Sequence, residues 1–455
     1  MTVLDYVKYA ETSRRAAAEG AVLLKNEGGV LPIQSEQTVA LFGRTQYDTI
    51  YCGTGSGGLV NVPYVVSIHE GLSAVRSLEP VSQEAYAAWL PDHPFDEGQG
   101  WAATPWSQDE MTVSPELAAR SAGSADLAVV VIGRTAGEDR DNVAKKGAYY
   151  LTDTEMDVLR NVRQAFPRLA VVLNTGNIID MSWQEEIRPD AILSVWQGGC
   201  EVGHAVADVL TGKVNPSGKL PDTVAYSLED YPASDNFGGA HEIVYAEDIY
   251  VGYRYFETFA RDKVLYPFGF GLSYSTFDFD LESFESGDAS VKVSASLKNV
   301  GGPEGKNVLQ LYVQAPQGKL GQPLRRLVGF DKSRTLGAGE REVLSFEVQA
   351  EDLASFDDSG VSGYRNAYVL EAGDYEFFLG FDVRSAVSCG IFSVAETRLI
   401  EQLREAMAPM KTFRRLRPEV TGEAVAEGKE DVPVRSVPFE QYLDERSREA
   451  EAQHD

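Results

Sequence analysis

The residues best suited to chemistry lie in Gly133-Arg134-Thr135-Ala136-Gly137-Glu138-Asp139-Arg140-Asp141-Asn142, where the carboxylate of Glu138 stands among two further acids and a guanidinium. Neighbouring carboxylates disfavour a second ionised one, and Arg140 favours it, so the pKa of Glu138 can be set in either direction. A carboxyl group that holds its proton near neutral pH serves as a general acid, and one that releases it serves as a base. The residue types leave two readings open: a functional carboxylate, or a solvated surface network of Glu138 and Arg140 with little energetic weight. Trp101, Trp106, Tyr149 and Tyr150 flank the loop and are the aromatic surfaces that would bury such an acid or stack on a ligand.

The loop follows Ala125-Asp126-Leu127-Ala128-Val129-Val130-Val131-Ile132, a continuous apolar run that reads as a strand buried on both faces. In open α/β sheets ligands collect beyond the carboxyl ends of such strands, which is where Glu138 falls. Further strands are expected at Val39 to Gly43, Leu169 to Asn174 and Ala191 to Trp196, with helices at Ser13 to Leu24, Pro115 to Ala122, Thr154 to Phe166 and Gly203 to Leu210, the third capped by Asp153. This alternation predicts an α/β fold with a doubly wound, mostly parallel sheet over residues 1–275. From Thr276 the texture changes to short alternating strands, among them Ser290 to Leu297, Asn307 to Val313, Glu342 to Val348 and Tyr375 to Gly380, which predicts an antiparallel β-sandwich over 276–395. Residues 396–455 are highly charged and read as a linker or tail with one helix, Leu399 to Ala408.

A chain of 455 residues exceeds a single core, and its 43% hydrophobic content suffices for packed ones. A formal net charge of -28 argues against nucleic acid and against anionic membrane surfaces as partners. The first ten residues lack the basic start and apolar stretch of a signal peptide, and no apolar run reaches membrane-spanning length. Cys52, Cys200 and Cys389 are odd in number and far apart, which fits buried thiols in a reducing compartment, so a cytoplasmic location is expected. His69, His93, His204, His241 and His454 include no pair at metal-ligand spacing, and no metal or other cofactor is expected. Gly53-Thr54-Gly55-Ser56-Gly57-Gly58 has dinucleotide-turn spacing, yet Pro63 interrupts the helix that should follow, so a flexible or substrate-lining loop is the better reading than nucleotide binding. Thr54 also stands where a nucleophile elbow around Ser56 requires glycine.

Longer stretches carry a family resemblance. Glu19-Gly20-Ala21-Val22-Leu23-Leu24-Lys25-Asn26, Gly198-Gly199-Cys200-Glu201 through Thr211-Gly212, Asn215-Pro216-Ser217-Gly218-Lys219-Leu220-Pro221, Tyr250-Val251-Gly252-Tyr253-Arg254-Tyr255-Phe256 and Tyr266-Pro267-Phe268-Gly269-Phe270-Gly271-Leu272-Ser273-Tyr274 are similar to the glycoside hydrolase family 3 β-glucosidases over residues 10 to 394. The resemblance implies an α/β sandwich domain followed by a fibronectin type III-like domain. It implies that Glu138 is the acid/base carboxylate, with Arg140, Trp101, Trp106 and Tyr149 as candidate sugar contacts. The family's nucleophile is an Asp in a Ser-Asp-Trp type motif on a (β/α)8 barrel, and no Ser-Asp-Trp occurs here. The segments Pro94-Phe95-Asp96-Glu97-Gly98 and Pro105-Trp106-Ser107-Gln108 resemble the branch whose domain order is reversed, and residues from Glu396 are similar to its linker into the barrel. The expected activity is thus part of a β-glycosidase acting on a β-glucoside or related oligosaccharide and completed by a barrel domain or subunit. The chain by itself is expected to be inactive or very weak. The alternatives are a non-catalytic carbohydrate-binding or scaffolding module and, less in keeping with the residues, a nucleotide-binding enzyme.

Overall fold

The computed structural model describes residues 5–443 apart from positions 59, 60, 240, 406, 422, 423, 439 and 442. Helix α1 (Tyr6–Gly20) is followed by β1 (Val22–Asn26), β2 (Thr38–Phe42), α2 (Ile68–Ser73), β3 (Ser77–Leu78), α3 (Pro80–Trp89) and α4 (Pro115–Ala122). Then come β4 (Leu127–Arg134), α5 (Asp153–Ala165), β5 (Leu169–Thr175), α6 (Trp183–Ile187), β6 (Ala191–Ser194) and α7 (Val202–Leu210). The six strands form one sheet in the order β1-β6-β5-β4-β2-β3, parallel throughout except where β1 runs against β6.

Every residue of β4 is buried, because its alternate side chains enter two different cores. Ala128, Val130 and Ile132 pack with Tyr86, Val158, Leu159 and Trp183, while Leu127, Val129 and Val131 pack with Ile68, Leu72, Val202 and Val206. A strand covered by helices on both faces reads as an unbroken apolar run for this reason.

Two expectations about local structure are corrected. The helix expected over Ser13 to Leu24 ends at Gly20, and Val22, Leu23 and Leu24 are strand. The edge of β6 decides this: Val22 pairs with Ser194 and Leu23 with Leu193, so the ladder and the two cores claim residues that periodicity had given to the helix. Asp153 is not the cap of α5. Thr152 is, its hydroxyl accepting from the Glu155 amide at 3.1 Å while the Glu155 carboxylate accepts from the Thr152 amide at 2.7 Å.

A small hairpin of β7 (Val224–Ala225) and β8 (Val264–Tyr266), with α8 (Tyr253–Phe259) between them, leads to the second half of the chain. There β9 (Thr276–Ser286), β10 (Ser290–Gly301), β11 (Val308–Gln314), β12 (Arg326–Lys332) and β13 (Arg341–Gln349) are followed by β14 (Ser355–Asp357), β15 (Ala367–Leu370), β16 (Gly373–Gly380) and β17 (Val387–Val394). Sheets β13-β10-β9 and β12-β11-β16-β17 are antiparallel and enclose a core built from the inward residues of each strand, such as Val291, Val293 and Leu297 against Leu309, Leu311 and Phe377.

Three further strands follow: β18 (Arg398–Gln402), β19 (Arg414–Thr421) and β20 (Ala424–Asp431). The helix expected over Leu399 to Ala408 is therefore corrected: Leu399 to Gln402 are strand and residues 403–405, 407 and 408 are irregular, while position 406 lies outside the described residues. All five residues of β18 are exposed and offer no apolar face for a helix to bury, whereas the free edge of β15 pairs Val369 with Leu399 and Ala367 with Gln402. Strands β19 and β20 form a hairpin within the segment read as linker.

Asn215 ties the two halves together. Its carbonyl accepts from the Ser273 hydroxyl at 2.8 Å and the Tyr274 amide at 2.9 Å, and its amide donates to Ser275 and to the Glu304 carbonyl. Lys306 adds an ion pair to Glu19 at 2.7 Å. Several stretches that carry the family resemblance thus serve to fasten this joint.

Candidate functional site

The site begins where β4 ends. Arg134, 2% exposed, turns into the protein and meets Glu155 through two hydrogen bonds of 2.6 and 2.7 Å, which anchors the last strand residue to the start of α5. Beyond it the chain lies against the glycine-rich loop 53–58: the Thr54 amide donates to the Ala136 carbonyl at 2.9 Å and the Glu138 amide to the Thr54 carbonyl at 3.2 Å. Gly137 sits at φ +133 and a side chain there would meet the Thr54 backbone at 2.5 Å, so glycine is what permits this approach.

Glu138 is exposed, and one of its carboxylate oxygens, Oε2, accepts from the Ser56 amide at 2.8 Å and the Ser56 hydroxyl at 2.7 Å. Oε1 has no hydrogen-bond partner among the described residues. The two Ser56 donors favour the charged form and hold the carboxyl below its ordinary range, led by the backbone bond. In this state the ionised carboxylate of Glu138 is favoured. To act as an acid it must be covered, because desolvation is what raises a carboxyl pKa.

Arg140 does not pair with Glu138, so the surface network considered from the sequence does not form. Its Nε donates to the Thr104 carbonyl at 2.6 Å, and its guanidinium lies 5.0 Å over the Trp106 ring. Trp106 in turn donates to the Asp141 carbonyl at 3.2 Å. Asn177 holds the Arg140 carbonyl and Asn142 holds the Ile178 carbonyl, clamping this loop to the one after β5. Arg140 and Trp106 thus brace the carboxylate's loop. Trp101 is 55% exposed and no hydrogen bond or ring contact joins it to them among the described residues.

Tyr149 goes elsewhere again. It is 1% exposed, its hydroxyl has no hydrogen-bond partner among the described residues, and it lines a cavity of about 400 Å³ with Asn142, Asn177, Trp196, Asp222 and Tyr231. This cavity lies beyond the carboxyl ends of β4, β5 and β6, the usual position for a ligand in such a sheet. Burial raises the Tyr149 phenol well above its ordinary value and keeps it a neutral donor.

Sequence reasoning missed Ser56. The available signal was the glycine loop itself, which looked unusable for phosphate and is indeed used differently: Gly55, at φ +82, is filled against Glu138, whose Cβ would stand 2.3 Å from any added methyl. Among the described residues no strand feeds this loop and the next helix starts only at Ile68, so the geometry of a dinucleotide turn is lacking there. Among the described residues no group of three or more His, Cys, Asp or Glu side chains is arranged to hold a metal ion. His69 instead stacks on Tyr47, His93 stacks on Trp89, and His204 bonds to Glu201 at 2.6 Å. No helix is long and apolar enough to cross a membrane among the described residues.

Fold and loop geometry together define a class. Residues 21–274 match the glycosyl hydrolase family 3 C-terminal domain and residues 307–383 match a fibronectin type III-like domain, so the chain belongs to glycosyl hydrolase family 3. Among particular relatives, it is 48% identical over 417 residues to a β-glucosidase of Ruminococcus albus, covering 91% of this chain and 44% of that protein. It is 37% identical to β-glucosidase A of Butyrivibrio fibrisolvens, covering 91% of this chain and 55% of that protein. The structure superimposes on a β-glucosidase from Paenibacillus barengoltzii with a TM-score of 0.94 and 45% identity, covering 98% of this chain and 50% of the other. The chain spans about half the length of the relatives it matches.

Proposed function

We propose that this chain supplies the acid/base carboxylate, Glu138, of a retaining β-glycosidase of the β-glucosidase type, and that the nucleophile comes from a (β/α)8 barrel domain or subunit. The observation that carries this reading is the posture of Glu138: a carboxylate at the carboxyl end of β4, fixed through one oxygen by Ser56 and open at the other. Retaining hydrolysis uses two carboxyl groups about 5 to 5.5 Å apart, one attacking the anomeric carbon and the other protonating the leaving oxygen. None of the sheets among the described residues closes into a barrel. A barrel docked over the exposed loop would desolvate Glu138, raise its pKa, and so convert the ionised carboxylate into the acid the first step needs. After glycosyl transfer to the nucleophile, the same group, now ionised, takes a proton from the attacking water.

In this reading residues 1–275, 276–395 and 396–455 act as catalytic half, buttress and connection to the barrel. Arg140 and Trp106 set the loop, Trp101 offers an exposed face for sugar stacking, and Tyr149 contributes a donor in the neighbouring cavity. The β-glucosidase names of the relatives support a β-glucoside as substrate, and the three free cysteines support a cytoplasmic setting. The test is co-expression with a family 3 barrel, followed by an assay on an aryl β-glucoside. Turnover should appear only in the complex and fall about 10²- to 10⁴-fold in E138Q. Hydrolysis by the purified chain alone, or full activity of E138Q, would defeat the reading.

A non-catalytic sugar-binding role is favoured by one observation of its own, the Tyr149 cavity with its aromatic walls and partnerless hydroxyl. Calorimetric titration of the chain with glucose and cello-oligosaccharides separates the two: affinity that persists without a barrel, alongside no turnover with one, selects the binding role.

A further inference from the structure

A second cavity, of about 290 Å³, opens where the region around α8, the β-sandwich and the β19-β20 hairpin meet, and shares no wall residue with the first. Four guanidiniums stand on its walls, Arg254, Arg326, Arg415 and Arg417, with three carboxylates, Asp248, Asp358 and Glu430. The carboxylates are all engaged by two of the four. Arg415 pairs with Asp358 at 2.7 Å, Glu430 at 2.7 Å and Asp248 at 3.3 Å, and Arg417 pairs with Glu430 at 3.2 Å.

Among the described residues neither Arg254 nor Arg326 forms an ion pair, although Asp352 lies near enough to Arg326 to favour its charge. The Arg254 guanidinium has no hydrogen bond or ion pair among the described residues, and Arg326 makes one neutral bond, to the Asp352 carbonyl at 3.1 Å. They also repel each other: burial first and Arg254 second push the Arg326 pKa down. The same walls carry Tyr250, 2% exposed, whose hydroxyl has no hydrogen-bond partner among the described residues. In a chain of net charge -28, two guanidiniums that no carboxylate pairs with, beside a phenol hydroxyl, form a donor set that an anion would complete.

We infer that this cavity binds a phosphate-type oxyanion, free or as the ester group of a phosphorylated sugar, through Arg254 and Arg326 with the Tyr250 hydroxyl as a further donor. The four guanidiniums and three carboxylates of the walls leave one net positive charge, which a singly charged tetrahedral oxyanion matches while offering an acceptor oxygen to each donor. At about 30 Å³ per water the cavity holds about ten waters, so an ester substituent fits beside the anion.

The whole chain is titrated calorimetrically with inorganic phosphate, glucose 6-phosphate and glucose, and its melting is followed in phosphate and in chloride at matched ionic strength and pH. Phosphate should bind saturably and raise Tm, glucose should not bind, and affinity should fall at least tenfold in R254Q and in R326Q. Glucose 6-phosphate binding tenfold tighter than phosphate assigns the site to the ester, and equal or weaker binding assigns it to the free ion. Both outcomes uphold the oxyanion site. In phosphate-free buffer R254Q should melt no lower than the parent, because the substitution removes a repulsion. Should R254Q fail to fold, Tyr250→Phe keeps every charge and should still lose affinity several-fold. No difference between phosphate and chloride, or undiminished phosphate binding in the arginine variants or in Tyr250→Phe, overturns the proposal.

Discussion

Ser56 grips one oxygen of Glu138 with both its amide and its hydroxyl, at 2.8 and 2.7 Å, across 82 residues of sequence. The glycine-rich loop and the carboxylate loop are therefore one device. It fixes the direction of the carboxylate, favours its charged form, and leaves the other oxygen without a hydrogen-bond partner among the described residues.

Ser56→Ala removes the hydroxyl donor and keeps the amide. Glu138 should then titrate at a higher pH, read from its carboxyl-carbon NMR shift with E138Q as the assignment control. The sign of the linkage follows from a lowered folded pKa: the stabilisation from Glu138 is present above the ordinary carboxyl value of about 4.3 and is lost as pH falls through the folded value. S56A should therefore lose less stability on acidification than the parent. An unmoved midpoint would show that the hydroxyl bond is not made in solution.

Gly55→Ala asks a left-handed residue to carry a methyl that would stand 2.3 Å from the Glu138 Cβ. The backbone strain is about 1–2 kcal/mol, and relief requires the two loops to part. Urea unfolding should register that loss, and the Glu138 titration should move up as in S56A. A variant as stable as the parent, with the Glu138 titration unmoved, would mean that the loops are not in contact.

Arg134 and Glu155 form a bidentate pair with side-chain exposures of 2% and 6%, and Glu155 also closes the capping box of α5. Glu155→Ala leaves a buried guanidinium without its counter-charge and should lower stability by about 3–5 kcal/mol. The measurement is a displacement of the urea midpoint at constant slope. A loss below about 1 kcal/mol would indicate that water reaches Arg134.

Glu110 behaves in the opposite way to Glu138. Burial raises its carboxyl to about 7, against hydrogen bonds from the Arg44 and Met111 amides that favour the charged form. The folded state thus holds a proton that the unfolded state has released, and stability falls as pH climbs from about 4.3 towards 7, at a rate of about 1.4 kcal/mol per pH interval of one. Glu110→Gln should flatten the pH profile of unfolding across that window. A profile unchanged by the substitution would place the titration on another group.

Much of the architecture is legible in the order of residues, because burial on two faces or one leaves a periodicity that short segments carry by themselves. The apolar run at β4, the amphipathic α5 and the alternating strands of the sandwich are of this kind, and so is the position of Glu138 after a central strand. What periodicity could not decide was which surface each segment would meet. Val22 to Leu24 became strand because the edge of β6 was unpaired, and Leu399 became strand because β15 was. Within the site, residue type left open whether Arg140 would join Glu138 in a surface network, and offered four aromatic groups as surfaces for the carboxylate or a ligand. Folding instead turned Arg140 onto Trp106, sank Tyr149 beneath a cavity, left Trp101 in solvent, and brought Ser56 to the carboxylate. The sequence by itself determined the central strands of the two main layers and the one carboxylate worth watching. The tertiary structure decided its charge, since a pKa is set by the groups that the fold brings within hydrogen-bonding distance, and these lie far away along the chain.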